Sequence, residues 1–165
     1  MKIQTMSIVC GTTACNAHCP FCVSKTTPNV NLPTSVNTRN LNIACRLAEK
    51  AGATTCLITG KGEPTLYPDM ITDYILYVKN YFPFIELQTN GIELDNLNER
   101  GYIKYWYSIG LTTICLSAVS IDQYQNKEIY GEGYPLISPL ARKLSDIGLT
   151  VRLSVMLCKK IQLAS

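Results

Sequence analysis

Thr54–Pro64, TTCLITGKGEP, is an apolar, β-branched run that passes directly into a glycine-rich turn. Such a run reads as a buried strand. The pattern recurs along the chain. Ile85, Leu87 and Thr89 alternate with Glu86 and Gln88 and end on Asn90–Gly91, and Thr113–Val119 (TICLSAV) is another apolar run. Strands therefore begin near residues 55, 84 and 113, each 29 positions after the last. Helical spacing fills the intervals. Thr38 can cap a helix with Leu41, Ala44, Cys45 and Ala48 on one face, stopped by Gly52. Pro68 opens a second, with Ile71, Ile75, Val78 and Phe82 aligned, and Pro83 closes it. Asp95 can cap a third, broken in regularity by Gly101 and reaching about Ser108. Asp122–Ile129 is a short candidate helix, and Pro135–Asp146 a longer one ended by Gly148. Met6–Cys10 supplies the first strand and Thr150–Leu157 the last. This alternation predicts an α/β fold with a parallel sheet and helices packed outside it. In such sheets ligands collect beyond the carboxyl ends of the strands. A doubly wound nucleotide-binding fold alternates likewise, but its Gly-x-Gly-x-x-Gly turn is missing after the first strand.

The 165 residues suffice for one domain, with 47% hydrophobic and 16% charged residues placing the chain among ordinary globular proteins. A net charge of +3, dispersed along the chain, argues against nucleic acid or an anionic membrane as partner. No apolar run approaches the ~18 residues needed to span a bilayer, and the N-terminus lacks a signal-peptide layout. A reducing cytoplasm is the expected location, so the eight cysteines read as ligands and buried thiols rather than disulfides.

Three cysteines stand apart. Cys15–Cys22, CNAHCPFC, places them at C-x3-C-x2-C spacing just after the first strand. Thiolates this close can converge on one metal centre, either an iron–sulfur cluster or zinc. A cubane held by three cysteines leaves one iron open. Zinc is a rival, with Cys15, Cys19 and Cys22 joined by His18, although four ligands within eight residues is cramped. A second rival adds Cys10 to give a fully ligated, non-catalytic electron-transfer cluster. Cys45, Cys56, Cys115 and Cys158 lack ligand spacing and read as small buried hydrophobes. His18, the single histidine, is expected to meet solvent or backbone. The tyrosines between Tyr67 and Tyr107 read as packing residues. The polar stretch from Val23 to Asn37 fits a lid, a binding loop or a solvated connector.

The cysteine spacing resembles the signature of the radical S-adenosylmethionine (radical SAM) superfamily, in which the open iron binds the methionyl end of the cofactor. Phe21 matches that family's aromatic near the adenine. Gly60-Lys61-Gly62-Glu63-Pro64 resembles its Gly-Gly-Glu-Pro turn, with Lys61 separating the glycines, and Thr89-Asn90-Gly91 matches its third-strand ending. The resemblance implies a TIM-barrel-like partial (βα) barrel over residues 1–165. It implies a [4Fe–4S] cluster on Cys15, Cys19 and Cys22, with S-adenosylmethionine against Phe21, the 60–63 turn, Thr89, Asn90, Ser117 and Arg152. In that family the backbone of this turn meets the cofactor's amino group; glycines let carbonyls approach closely, and a carboxylate favours a nearby ammonium. Thr89 and Ser117 would offer hydroxyls to its ribose or carboxylate. For Arg152 a strand-centre ion pair is the competing reading. The implied activity is that of an oxidoreductase: a flavodoxin or ferredoxin supplies an electron, and reductive cleavage yields a 5′-deoxyadenosyl radical that abstracts hydrogen from a substrate the motifs do not identify. No catalytic base is implied. The family core has six strands and this sequence shows five, so the expectation is a barrel lacking its last strand, with weak turnover alone.

Overall fold

The computed structural model describes residues 3–27 and 35–157. Five strands form one sheet in the order β1 (Thr5–Val9), β2 (Thr55–Thr59), β3 (Phe84–Thr89), β4 (Thr113–Ala118) and β5 (Thr150–Val155), each neighbouring pair parallel. Parallel neighbours require crossover connections. These are α1 (Thr38–Lys50), α2 (Pro68–Val78), α3 (Leu94–Glu99) with α4 (Tyr102–Ile109), and α5 (Gln123–Tyr130) with α6 (Ile137–Ile147). β1 does not pair with β5, so the described residues form an open, partial (βα) barrel.

The sheet has two unlike faces, because alternate residues of a strand point opposite ways. Cys56, Ile58, Ile85, Leu87, Ile114 and Leu116 are at most 1% exposed and share one core with Ile71, Ile75, Val78, Ile103 and Trp106 from the helices. The other face carries Leu57, Glu86, Gln88, Ser117, Arg152 and Ser154, half-buried or exposed. The core therefore lies on the helix side and the polar face is left open.

Some boundaries differ from expectation for local reasons. Thr38 is already helical, and Asn37 caps α1 by accepting from the Asn40 N–H at 3.0 Å. Asp95 lies inside the first turn of α3, where it pairs with Lys143 at 2.5 Å. Gly101, at φ +82°, separates α3 from α4, since a left-handed residue cannot continue a helix. α6 starts at Ile137, with Pro139 in its first turn, where no intrahelical N–H is needed. Cys158 lies outside the described residues, as do residues 28–34 of the polar stretch.

Candidate functional site

The chain leaves β1 through Cys10 and Gly11 into the cysteine loop. Gly11 has φ +76°, and a Cβ there would stand 2.3 Å from the Tyr67 ring. The next contact fixes the loop against the turn after β2. The Gly62 N–H donates to the Thr12 carbonyl at 3.1 Å, and the Glu63 N–H to the Ala14 carbonyl at 2.9 Å. A Cβ on Gly62 would lie 2.0 Å from the Ala14 oxygen, so only glycine allows this approach. From the far side Ser24 Oγ donates to the Lys61 carbonyl, while Lys25 Nζ donates to the carbonyls of His18 and Cys19. The start of the polar stretch thus folds back onto the loop as a 3-10 turn, Val23–Lys25.

These contacts enclose a cleft of about 270 Å³ at the carboxyl ends of the strands. Cys15, Cys19, Phe21 and Cys22 line it from the loop, residues 60–63 from the β2 turn, Thr89 and Asn90 from β3, and Ser117 from β4. The structure brings all of these sequence-derived residues together. As placed, no three His, Cys, Asp or Glu side chains among the described residues stand as a ligand set for a metal ion. The thiols share a cleft and influence one another electrostatically. Burial pushes the Cys19 thiol up to about 11, helped by Cys15 and Cys22 and opposed by its own backbone N–H and Lys25. Burial also raises Cys15, against a hydrogen bond from the Ala17 N–H at 3.4 Å, with Glu63 and Cys22 adding to the rise. Asn90 Nδ2 points to Cys15 Sγ at 3.9 Å and donates to Asn16 Oδ1 at 2.8 Å.

Three of the residues assigned to the cofactor have partners within the chain. Arg152 does not line the cleft: its guanidinium forks onto Glu86, with Nε at 3.0 Å from Oε2, bridging β5 to β3 on the open face. The Glu63 carboxylate is buried and accepts from Thr65 and Thr89 hydroxyls and from backbone N–H groups. The Thr89 hydroxyl donates there and accepts from the Gly91 N–H at 2.9 Å. Cys10 belongs to the main core at 1% exposure, and burial, with Glu63 behind it, lifts its thiol to about 12. His18 is exposed and outside the cleft lining. Cys45, Cys56 and Cys115 are fully buried.

Sequence reading missed the wall opposite the β2 turn. Tyr130 lines the cleft, meeting Phe21 edge-on at 6.4 Å and stacking on Tyr134 at 4.9 Å. The Tyr134 hydroxyl donates to the Ser117 carbonyl at 2.8 Å, and burial pushes its phenol up to about 12. Asn126, wholly buried, accepts from the Val119 N–H at 2.9 Å and donates to the carbonyls of Ser120 and Asp122, fixing the loop after β4. The four-residue spacing of Tyr130 and Tyr134 was a usable signal. Gln88, Ser154 and Met156 also reach the cleft.

Residues 9–159 match the model of the radical SAM superfamily. No curated protein matches the chain. Among solved structures, the crystal structure of Streptococcus suis SuiB bound to precursor peptide SuiA is similar, with TM-score 0.70 and 19% sequence identity. That likeness, which shows the fold, covers 97% of this chain and 34% of that one, so the chain spans about a third of that relative's length. The five-stranded parallel sheet, the cysteine loop at its carboxyl edge and the match over residues 9–159 carry one conclusion: the chain belongs to the radical SAM superfamily.

Proposed function

We propose that this chain is the catalytic core of a radical SAM enzyme, in which Cys15, Cys19 and Cys22 hold three irons of a [4Fe–4S] cluster and S-adenosylmethionine occupies the cleft at the remaining iron. The observation that carries this reading is the lining of one cleft by the three thiols, the GKGEP turn and the Thr89–Asn90 strand end. The donor set fits the group. Thiolates are the usual ligands of such a cluster, and all three line the same cleft beside the GKGEP turn. Cys10, buried in the core, is withdrawn from service as a fourth ligand.

Bound together, cluster and cofactor supply reductive carbon–sulfur cleavage to a 5′-deoxyadenosyl radical, with the electron coming from a flavodoxin- or ferredoxin-type donor. The protein's own residues orient and enclose. The backbone bonds from Gly62 and Glu63 hold the loop so that its thiols face the cleft. Phe21 and Tyr130 form an aromatic wall, and Gln88, Ser117 and Ser154 supply polar groups on the open face of the sheet. A reducing, cytoplasmic setting suits cysteines that are all free among the described residues, none of whose helices is long and apolar enough to cross a membrane. The SuiB structure is bound to a precursor peptide, so peptides are the substrate class to assay first. Anaerobic reconstitution followed by iron, sulfide and zinc analysis tests the core of the proposal. Iron and sulfide in the proportion of a [4Fe–4S] cluster are expected; zinc without sulfide would overturn it.

A further inference from the structure

Glu63 sits where three motifs meet. Its carboxylate is 4% exposed, and four donors converge on it. Oε1 accepts from the Thr65 N–H at 3.0 Å, from Thr65 Oγ1 at 2.6 Å and from Thr89 Oγ1 at 2.6 Å, and Oε2 accepts from the Asn90 N–H at 2.9 Å. An ionised carboxylate offers about four lone-pair positions. Three donors share Oε1 and one takes Oε2, so four hydrogen bonds from within the chain engage the carboxylate. Its backbone N–H holds the Ala14 carbonyl, one residue before Cys15. Thr89 in turn accepts from Gly91, and Asn90 reaches the cysteine loop through Asn16. One side chain and its own N–H therefore tie the β2 turn, the end of β3 and the cysteine loop to one another.

We infer that Glu63 is a positioning residue: its carboxylate, held by four donors of the chain, keeps the β2 turn and the β3 end in register against the cysteine loop, and it acts on cofactor binding through them without touching the cofactor. This rests on the reading that the cleft takes S-adenosylmethionine. Direct contact with the cofactor's ammonium predicts something different. Removing a competing donor would then free the carboxylate and strengthen binding. Under positioning, removing that donor loosens the hub and weakens binding.

The experiment uses the reconstituted full chain and four proteins: wild type, Glu63→Gln, Thr89→Val and Thr89→Ser. Each is titrated with S-adenosylmethionine and with an analogue lacking the amino group, and the cluster's optical or paramagnetic response is read. Positioning predicts iron content unchanged in all four. It also predicts binding weakened about tenfold in both Glu63→Gln and Thr89→Val, the scale of one hydrogen bond to a charged group, and recovery in Thr89→Ser. The Glu63→Gln deficit should persist with the deaminated analogue. Thr89→Val binding as tightly as wild type, or a Glu63→Gln deficit that vanishes with that analogue, would overturn the inference. Amide-hydrogen exchange at Thr65 and Asn90 in the cofactor-free proteins gives a second readout, with protection lost in Glu63→Gln and retained in Thr89→Ser. Retained protection in Glu63→Gln also contradicts the hub. A wild type that ignores S-adenosylmethionine would sink the functional reading instead, and the exchange data would still decide the role of Glu63.

Discussion

Cys45, Cys56 and Cys115 lie on a helix and two strands at 0% exposure, whereas Cys15, Cys19 and Cys22 lie on a loop and line a cleft. Residue type is the same; the supporting backbone differs. Buried on a regular element, a thiol is a small hydrophobe. On a loop fixed by hydrogen bonds to the Thr12 and Ala14 carbonyls, it is held toward open space where a metal can take its proton. The division follows the supporting backbone and not the face of the sheet, since Cys115 is buried although it sits in register with Gln88 and Arg152.

If that division is right, substitutions should separate cleanly. The largest effect is expected from Cys15→Ser, Cys19→Ser or Cys22→Ser, each removing bound iron and sulfide on reconstitution while leaving the unfolding midpoint close to wild type. Cys45→Ala should do the reverse, retaining the cluster and lowering the midpoint. Next comes Trp106→Ala. The indole is fully buried and donates to Thr72 Oγ1 at 2.8 Å, so its loss should destabilise by about 3–5 kcal/mol in denaturant titration.

A pH series sharpens the same contrast. Burial lifts the thiols of Cys10 and Cys56 from 9.0 to about 12, with Glu63 and Cys45 adding to the respective rises. The folded chain then keeps protons that the unfolded chain gives up. Stability is whole below about pH 9 and falls as pH rises toward about 12. Denaturation midpoints should be lower at about pH 10.5 than at about pH 8, and Cys56→Ala should flatten the slope; equal midpoints would count against this burial. The smallest effect is expected on the open face. Arg152, half-exposed in its pair with Glu86, should contribute under ~1 kcal/mol, and Arg152→Gln should keep the iron content of the wild type.

The sheet was legible because its central strands read as short apolar, β-branched runs punctuated by Gly, Asn and Pro. Strand starts at 55, 84 and 113 are found as expected. The cleft was legible for the same reason, since short motifs just past strand ends must share one edge. What escaped were pairings between residues distant in sequence. Arg152 could not be assigned to Glu86 from local pattern, because they are 66 positions apart and meet only once β4 lies between β3 and β5. The hydrogen bonds that Glu63 accepts from Thr89 and Asn90 were hidden in the same way, since those donors lie 26 and 27 positions further along the chain. Asn126 looks like any helical asparagine until its four hydrogen bonds to the loop after β4 are seen.

The central claim is that three thiols hold a cluster whose open iron faces a cofactor. Paramagnetic resonance of the reduced, reconstituted protein, recorded with and without S-adenosylmethionine, tests it most directly. The account predicts a [4Fe–4S] signal that changes shape on adding the cofactor and survives Cys10→Ala. A signal indifferent to the cofactor, and lost in Cys10→Ala, would contradict it.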